Sequence, residues 1–221
     1  HFMKTQIEEK LAQGFSCIKL KIGAIDFEKE LGLLRFIRQN FDAKTIEIRV
    51  DANGAFDSNE ALSKLNQLNE FELHSIEQPI KANQLQEMKL LCQQTPFPIA
   101  LDEELIGVFG IENKRKLLEE IQPQYIILKP SLVGGFKGTL EWISIAESLN
   151  IGWWITSALE SNIGLNAITQ FTFTLNNPMP QGLGTGGLYT NNFDCPLEIE
   201  KGHIQYNVQK HWDVSNLGIS L

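Results

Sequence analysis

Cys17-Ile18-Lys19-Leu20-Lys21-Ile22 and Ile46-Glu47-Ile48-Arg49-Val50-Asp51 share one pattern, apolar residues alternating with polar or charged ones. Alternation at period two marks a β-strand, whose successive side chains leave opposite faces. The first stretch sets Ile18, Leu20 and Ile22 against Lys19 and Lys21. The second sets Ile46, Ile48 and Val50 against Glu47, Arg49 and Asp51. Further short runs of strand type end on charge downstream, at Glu77-Gln78-Pro79, Asp102-Glu103 and Lys129-Pro130. Counted from Lys21 through Asp51, Glu77, Asp102 and Lys129, the steps are 30, 26, 25 and 27 residues. A strand-ending charge repeated at that interval predicts parallel βαβ units in a barrel with its chemistry at the C-terminal rim.

Helical periodicity fills the intervals, near 2–13, 27–41, 58–70, 84–94, 110–121, 136–149 and 162–175, as in Phe27, Leu31, Leu34 and Ile37. Gly14 stands where the first helix should end, Asp26 precedes the second, and Asp57 with Glu60 resembles a capping box for the third. Strands are expected near 16–22, 46–51, 74–78, 98–102, 125–129, 152–157 and 181–184. The resulting fold class is α/β, a (β/α)8-type barrel over 1–187 that starts on a helix, with the first strand absent and strands two to eight present. The turn-rich stretch 188–221 reads as a C-terminal extension.

Parity sends the alternate residues of barrel strands inward. It places Lys19, Lys21, Glu47, Arg49, Asp51 and Lys129 inside, with Ile126 and Leu128 facing the helices. A lone Lys-x-Lys reads as a solvated strand face; five motifs in register at strand ends read as a site. Asp51, Glu77 and Asp102, converging from successive strands, repel one another and lose hydration, so they need protons or a cation. An all-oxygen set without His or Cys favours a hard ion, Mg²⁺, with Mn²⁺ as a substitute. The alternative is a structural salt-bridge network with Lys19, Lys21 and Lys129, which has no reason to collect at strand C-termini. A lysine beside a dication loses its proton more readily and acts as a base, which with a metal suits removal of a proton next to a carboxylate.

Composition agrees with an enzyme. A chain of 221 residues, 43% hydrophobic and 21% charged, suffices for one sizeable core. A net charge of −8 excludes a basic stripe for nucleic acid or an anionic membrane. Three scattered cysteines, Cys17, Cys92 and Cys195, suit a reducing cytoplasm. No apolar run has membrane-spanning length and no signal peptide opens the sequence.

The succession Lys-x-Lys, Asp-x-Asn, Glu-Gln-Pro, Asp-Glu and Lys-Pro resembles the enolase superfamily, in its muconate-lactonizing-enzyme subgroup. Gly14–Gly23, Leu128–Gly135, Thr156–Ser161 and Gln181–Gly186 carry the resemblance further, with Asn191-Asn-Phe-Asp194. It implies Mg²⁺ ligands Asp51, Glu77 and Asp102. Lys21 would take the proton α to a carboxylate, giving an enediolate from which water leaves by syn elimination. Lys129 would face it across the substrate, and Lys19 would hold the substrate carboxylate or tune Lys21. Asn53 and Glu103 would stand behind the ligands, and 157–161 would border a small-molecule carboxylate substrate. A lyase is the implied activity. Alternatives are a racemase or dipeptide epimerase of the same superfamily, or a fragment inactive without its N-terminal part. The epimerases carry Asp-x-Asp where this sequence has Gly182-Leu183-Gly184. Members also carry an N-terminal capping domain with no counterpart here, against which 188–221 would pack if not against the barrel. A homo-oligomer is compatible with all of this.

Other signals lead elsewhere. Gly182-Leu-Gly-Thr-Gly-Gly187 matches G-x-G-x-x-G, but Leu-Tyr-Thr-Asn-Asn follows it instead of a helix, so it reads as a loop. His1, His74, His203 and His211 lack metal or triad spacing. Trp153 and Trp154 adjoin in a strand, so only one faces inward.

Overall fold

The computed structural model describes residues 2–215; His1 and residues 216–221, the end of the expected extension, lie outside the described residues. The chain runs α1 (Phe2–Ala12), β1 (Cys17–Lys21), α2 (Phe27–Asn40), β2 (Glu47–Asp51), α3 (Ser58–Leu68), β3 (Ser75–Glu77) and α4 (Leu85–Gln94). It continues through β4 (Ile99–Leu101), α5 (Ile111–Ile121), β5 (Tyr125–Leu128), α6 (Gly135–Ser148), β6 (Gly152–Ile155) and α7 (Asn162–Thr174). A hairpin of β7 (Leu197–Glu200) and β8 (His203–Tyr206) follows. Strands β1 to β6 pair in sequence order, all parallel, and the sheet curls into a partial barrel clad in helices. Among the described residues, the sheet gives β1 only one neighbour, β2.

The expected strand at 181–184 shrinks to one parallel bridge, Thr156 to Gly182. Pro178 and Pro180 remove ladder donors just before it. Gly182 lies so near Thr156 that a Cβ would come within 2.3 Å of the Thr156 hydroxyl. The caps divide similarly. Asp26 accepts from Lys29 N and Asp57 from Asn59 N, as helix starts require. Glu60 does not complete a capping box; it pairs with Lys64 at 3.1 Å, one turn along.

Strand parity sorts the interior into two layers. Ile48, Val50, Ile76, Ile99, Ile126 and Leu128 point to the helices and join the main core. Ala100, Ile127 and Trp154 form a small inner cluster with Tyr125 and Met179. Trp154 therefore faces in, with the Arg49 guanidinium 4.0 Å above its ring, while Trp153 packs in the outer core. His74 is a packed histidine, its ring 4.9 Å from Tyr125.

Register sets the height of each rim residue. Lys21 pairs with Asp51 and Asp51 with Glu77, one level across three strands. That level continues through Ala100, Tyr125 and Gly152. Asp102 thus stands one inward position above Glu77, and Lys129 one above Ile127, the stagger of tilted barrel strands. The hairpin turn, Lys201–Gly202, rests on the α1–β1 connection. A Cβ on Gly202, at φ +75°, would come within 2.5 Å of Gly14 O. No helix among the described residues is long and apolar enough to cross a membrane.

Candidate active site

The charged ends of β1 to β5 meet in one network. Lys19 Nζ donates to Asp51 Oδ2 at 2.9 Å and to Glu77 Oε2 at 2.8 Å. Lys21 Nζ donates to the same Asp51 oxygen and to Asn53 Oδ1, both at 2.5 Å. Asn53 Nδ2 donates to Glu103 Oε1 at 2.8 Å. Lys129 Nζ donates to Asp102 Oδ2 and stands 3.9 Å from Glu77 Oε1. All eight residues singled out from the sequence are brought together. The carboxylates form a row, with Lys19 and Lys21 at the Asp51 end and Lys129 at the Asp102 end.

Burial and charge act against each other along the row. Asp51, Glu77 and Asp102 are 0%, 2% and 1% exposed. Burial alone would push Asp51 up, but the ammonium groups of Lys19 and Lys21 hold its carboxyl below the usual range. Glu77 sits between two other carboxylates. Burial first, then Asp51 and Asp102, lift it to about 8 against the pull of Lys19. Burial disfavours the Lys19 charge, yet Glu77 and Asp51 outweigh it and keep that ammonium well above its ordinary value.

Among the described residues, no three His, Cys, Asp or Glu side chains stand in an arrangement ready to hold an ion. Ammonium groups lie among the carboxylates instead. The residues themselves suit a hard dication. The donors are all oxygen, and Glu77 Oε1 is buried with no hydrogen-bond partner. Asp51 Oδ1 is braced by the N–H of Asn53 at 3.0 Å.

The β6–α7 loop, expected to border a substrate, is pinned to the β5–α6 loop. Glu160 Oε1 accepts from Ser131 Oγ at 2.5 Å, and Oε2 from Ser157 Oγ at 2.6 Å and Ala158 N at 2.9 Å. Burial raises the Glu160 pKa, but these hydroxyls and amides bring it below the usual value. Gln78 and Glu104, both buried, were invisible as site residues in the sequence. The only signal was that two polar groups follow strand ends where the backbone leaves the ladder.

A curled parallel sheet with acid and base at its C-terminal rim defines an α/β-barrel of enzyme type. The chain belongs to the enolase C-terminal domain-like family, whose model matches residues 3–210. It is 57% identical over 201 residues to an o-succinylbenzoate synthase of Desulfotalea psychrophila, covering 91% of this chain and 54% of that protein. An N-succinylamino acid racemase of Thermus thermophilus is 34% identical over 159 residues, covering 72% of this chain and 40% of the racemase. The crystal structure of MenC from Desulfotalea psychrophila superposes with a TM-score of 0.87 at 55% identity, over 92% of this chain and 56% of that one. Muconate cycloisomerase from Pseudomonas fluorescens gives 0.84 at 27% identity, over 97% and 60%. The likeness fits the muconate-lactonizing branch of the enolase superfamily. The chain spans about half the length of the curated relatives it matches.

Proposed function

We propose that the protein is an o-succinylbenzoate synthase, a carbon–oxygen lyase of menaquinone biosynthesis. The observation that carries the reading is the buried carboxylate row with lysines at both ends, in a chain 57% identical to such a synthase. Asp51, Glu77 and Asp102 would hold Mg²⁺ or Mn²⁺. Bound there, the ion would supply the positive charge that stabilises a second negative charge on the substrate carboxylate.

The residues then divide the work. Lys21, the more exposed base at 59% side-chain exposure, takes the proton α to the carboxylate. It returns that proton to the departing hydroxyl, so water leaves from the same face and the proton count closes. Lys129, 16% exposed at the far end, stays charged and faces the developing enediolate. Lys19 binds the substrate carboxylate. Asn53 orients Lys21, and Glu103 orients Asn53.

The test is incubation with Mg²⁺ and the succinyl-hydroxycyclohexadiene carboxylate. Loss of the diene absorbance that disappears in Lys21→Ala supports the synthase. No loss with the complete gene product, upstream sequence included, overturns it. Racemisation of N-succinyl amino acids is a second reading, favoured by the same opposed lysines and the 34% identical racemase. Deuterium wash-in at Cα without diene loss would select it. The relatives' additional length is where residues that cover the rim and close the barrel beside β1 would lie.

A further inference from the structure

We propose that Gln78 and Glu104 are positioning residues that set Asp102 for the metal ion; the inference rests on the metal reading above. Strand β4 ends at Leu101, so no neighbouring strand holds the Asp102 backbone. A side chain does so instead. Gln78 Oε1 accepts from Asp102 N at 3.1 Å and from Glu104 N at 3.3 Å. On the other side of the same amide, Nε2 donates to Ile80 O at 3.0 Å and to Glu104 Oε2 at 3.2 Å. Two donors face the oxygen and two acceptors face the nitrogen, so only an amide satisfies all four.

The Gln78 backbone ties the same group to the other ligand strands. Its N–H donates to Ala100 O on β4 at 3.0 Å, and its carbonyl accepts from Gly54 N, just past Asp51 and Asn53, at 2.7 Å. Gln78 is fully buried and lies at φ +39°, a left-handed conformation that costs a non-glycine residue on the order of 1–3 kcal/mol. Such a cost persists only where surrounding bonds over-determine it, as they do here. Glu104, 5% exposed, extends the brace by accepting from Asn83 N at 2.9 Å, which fixes the β3–α4 loop. A brace for stability alone would serve any loop. This one holds the backbone N–H of one carboxylate and the turn after a second, and it starts one residue after the third.

Gln78→Glu separates the possibilities by sign. It adds negative charge beside the row, which by Coulomb attraction alone would tighten cation binding. It also sets a carboxylate oxygen against Ile80 O and Glu104 Oε2, which would disturb Asp102. Isothermal titration with Mn²⁺ should show affinity weakened about 10–100-fold, the usual effect of losing a ligand's supporting partner. The double variant Gln78→Glu/Glu104→Gln keeps the parent's net charge and restores a donor–acceptor pair between the side chains, though not the bond to Ile80 O; part of the lost affinity should return. Lys114→Met, between α5 and α6, serves as a variant destabilised away from the rim and should bind Mn²⁺ like the parent. Parent affinity or tighter binding in Gln78→Glu overturns the inference, as does an equal loss in Lys114→Met. If Gln78→Glu fails to fold, Gln78→Met, which removes the amide at unchanged net charge, is read instead, and parent affinity there overturns the inference. A parent protein that binds no Mn²⁺ overturns the metal reading itself, a separate outcome.

Discussion

Lys21 and Lys129 bracket the carboxylate row, so their loss should separate kinetically. Lys21→Ala removes the base and should lower kcat about 10²–10⁴-fold with little change in KM, read from diene absorbance. A kcat within threefold of the parent (well under the roughly hundredfold lower bound) would move the base elsewhere. Two residues away from the chemistry titrate unusually. Burial pushes the Cys17 thiol from about 9 up to about 12, Arg49 opposing and Glu47 adding to the rise. Burial, helped by Glu104, does the same at Cys92. The folded state therefore holds both protons more tightly than the unfolded chain. The stability this brings is whole below about pH 9 and drains as pH climbs toward 12, by up to about 1.4 kcal/mol per pH unit for each thiol. Denaturant melts of Cys17→Ala/Cys92→Ala should show a shallower alkaline decline than the parent. Superimposable declines would mean that the thiols titrate normally.

At the scale of elements, Lys114 joins two helices through a buried charge. Its ammonium, on a residue 1% exposed, donates to Gly138 O at 3.0 Å and Glu141 Oε2 at 2.9 Å, with the Trp142 ring 5.3 Å away. Lys114→Met should cost about 1–3 kcal/mol in a urea melt, from losing the buried ammonium's hydrogen bonds to Gly138 O and Glu141. Glu141, 28% exposed at its side chain, regains water and limits the loss. Unchanged stability would show that methionine packing compensates fully. Nothing in Ile111-Glu-Asn-Lys-Arg-Lys foretold this burial, because a charged helical turn reads as solvated until its neighbour is placed. The strands were legible for the opposite reason. Their period-two alternation is a local property, so the boundaries of β1 and β2 fall within a residue or two of expectation. The 181–184 segment kept its place beside β6 but not its ladder, since the close Thr156–Gly182 approach is decided by tertiary contacts. Parity likewise foresaw the inward charges at Asp51 and Lys129. The Gln78 amide, whose partners lie up to 26 residues away, needed the folded rim to be seen.

For the whole molecule, the carboxylates come from three consecutive connections, at the end of β2, the end of β3 and just beyond β4. Held apart from an ion, they concentrate negative charge in a dry rim and rely on lysines from β1 and beyond β5 to offset it. An ion that binds all three would link half of the curled sheet at its open end, and the unfolded chain would have no such site. Binding to the native state alone raises stability by RT ln(1 + [L]/Kd), about 2.7 kcal/mol at one hundred times Kd. For a chain of this size that corresponds to a rise in Tm of roughly 5–10 °C. The expected result is a Tm that climbs with Mg²⁺ concentration, returns to its starting value with EDTA, and does not respond in Asp51→Asn. Asp51→Asn also removes the carboxylate that two lysines share, so its baseline Tm should fall. The decisive quantity is the slope of Tm against log Mg²⁺. A slope equal in parent and Asp51→Asn would assign the stabilisation to general ionic effects and remove the carboxylate row from metal binding.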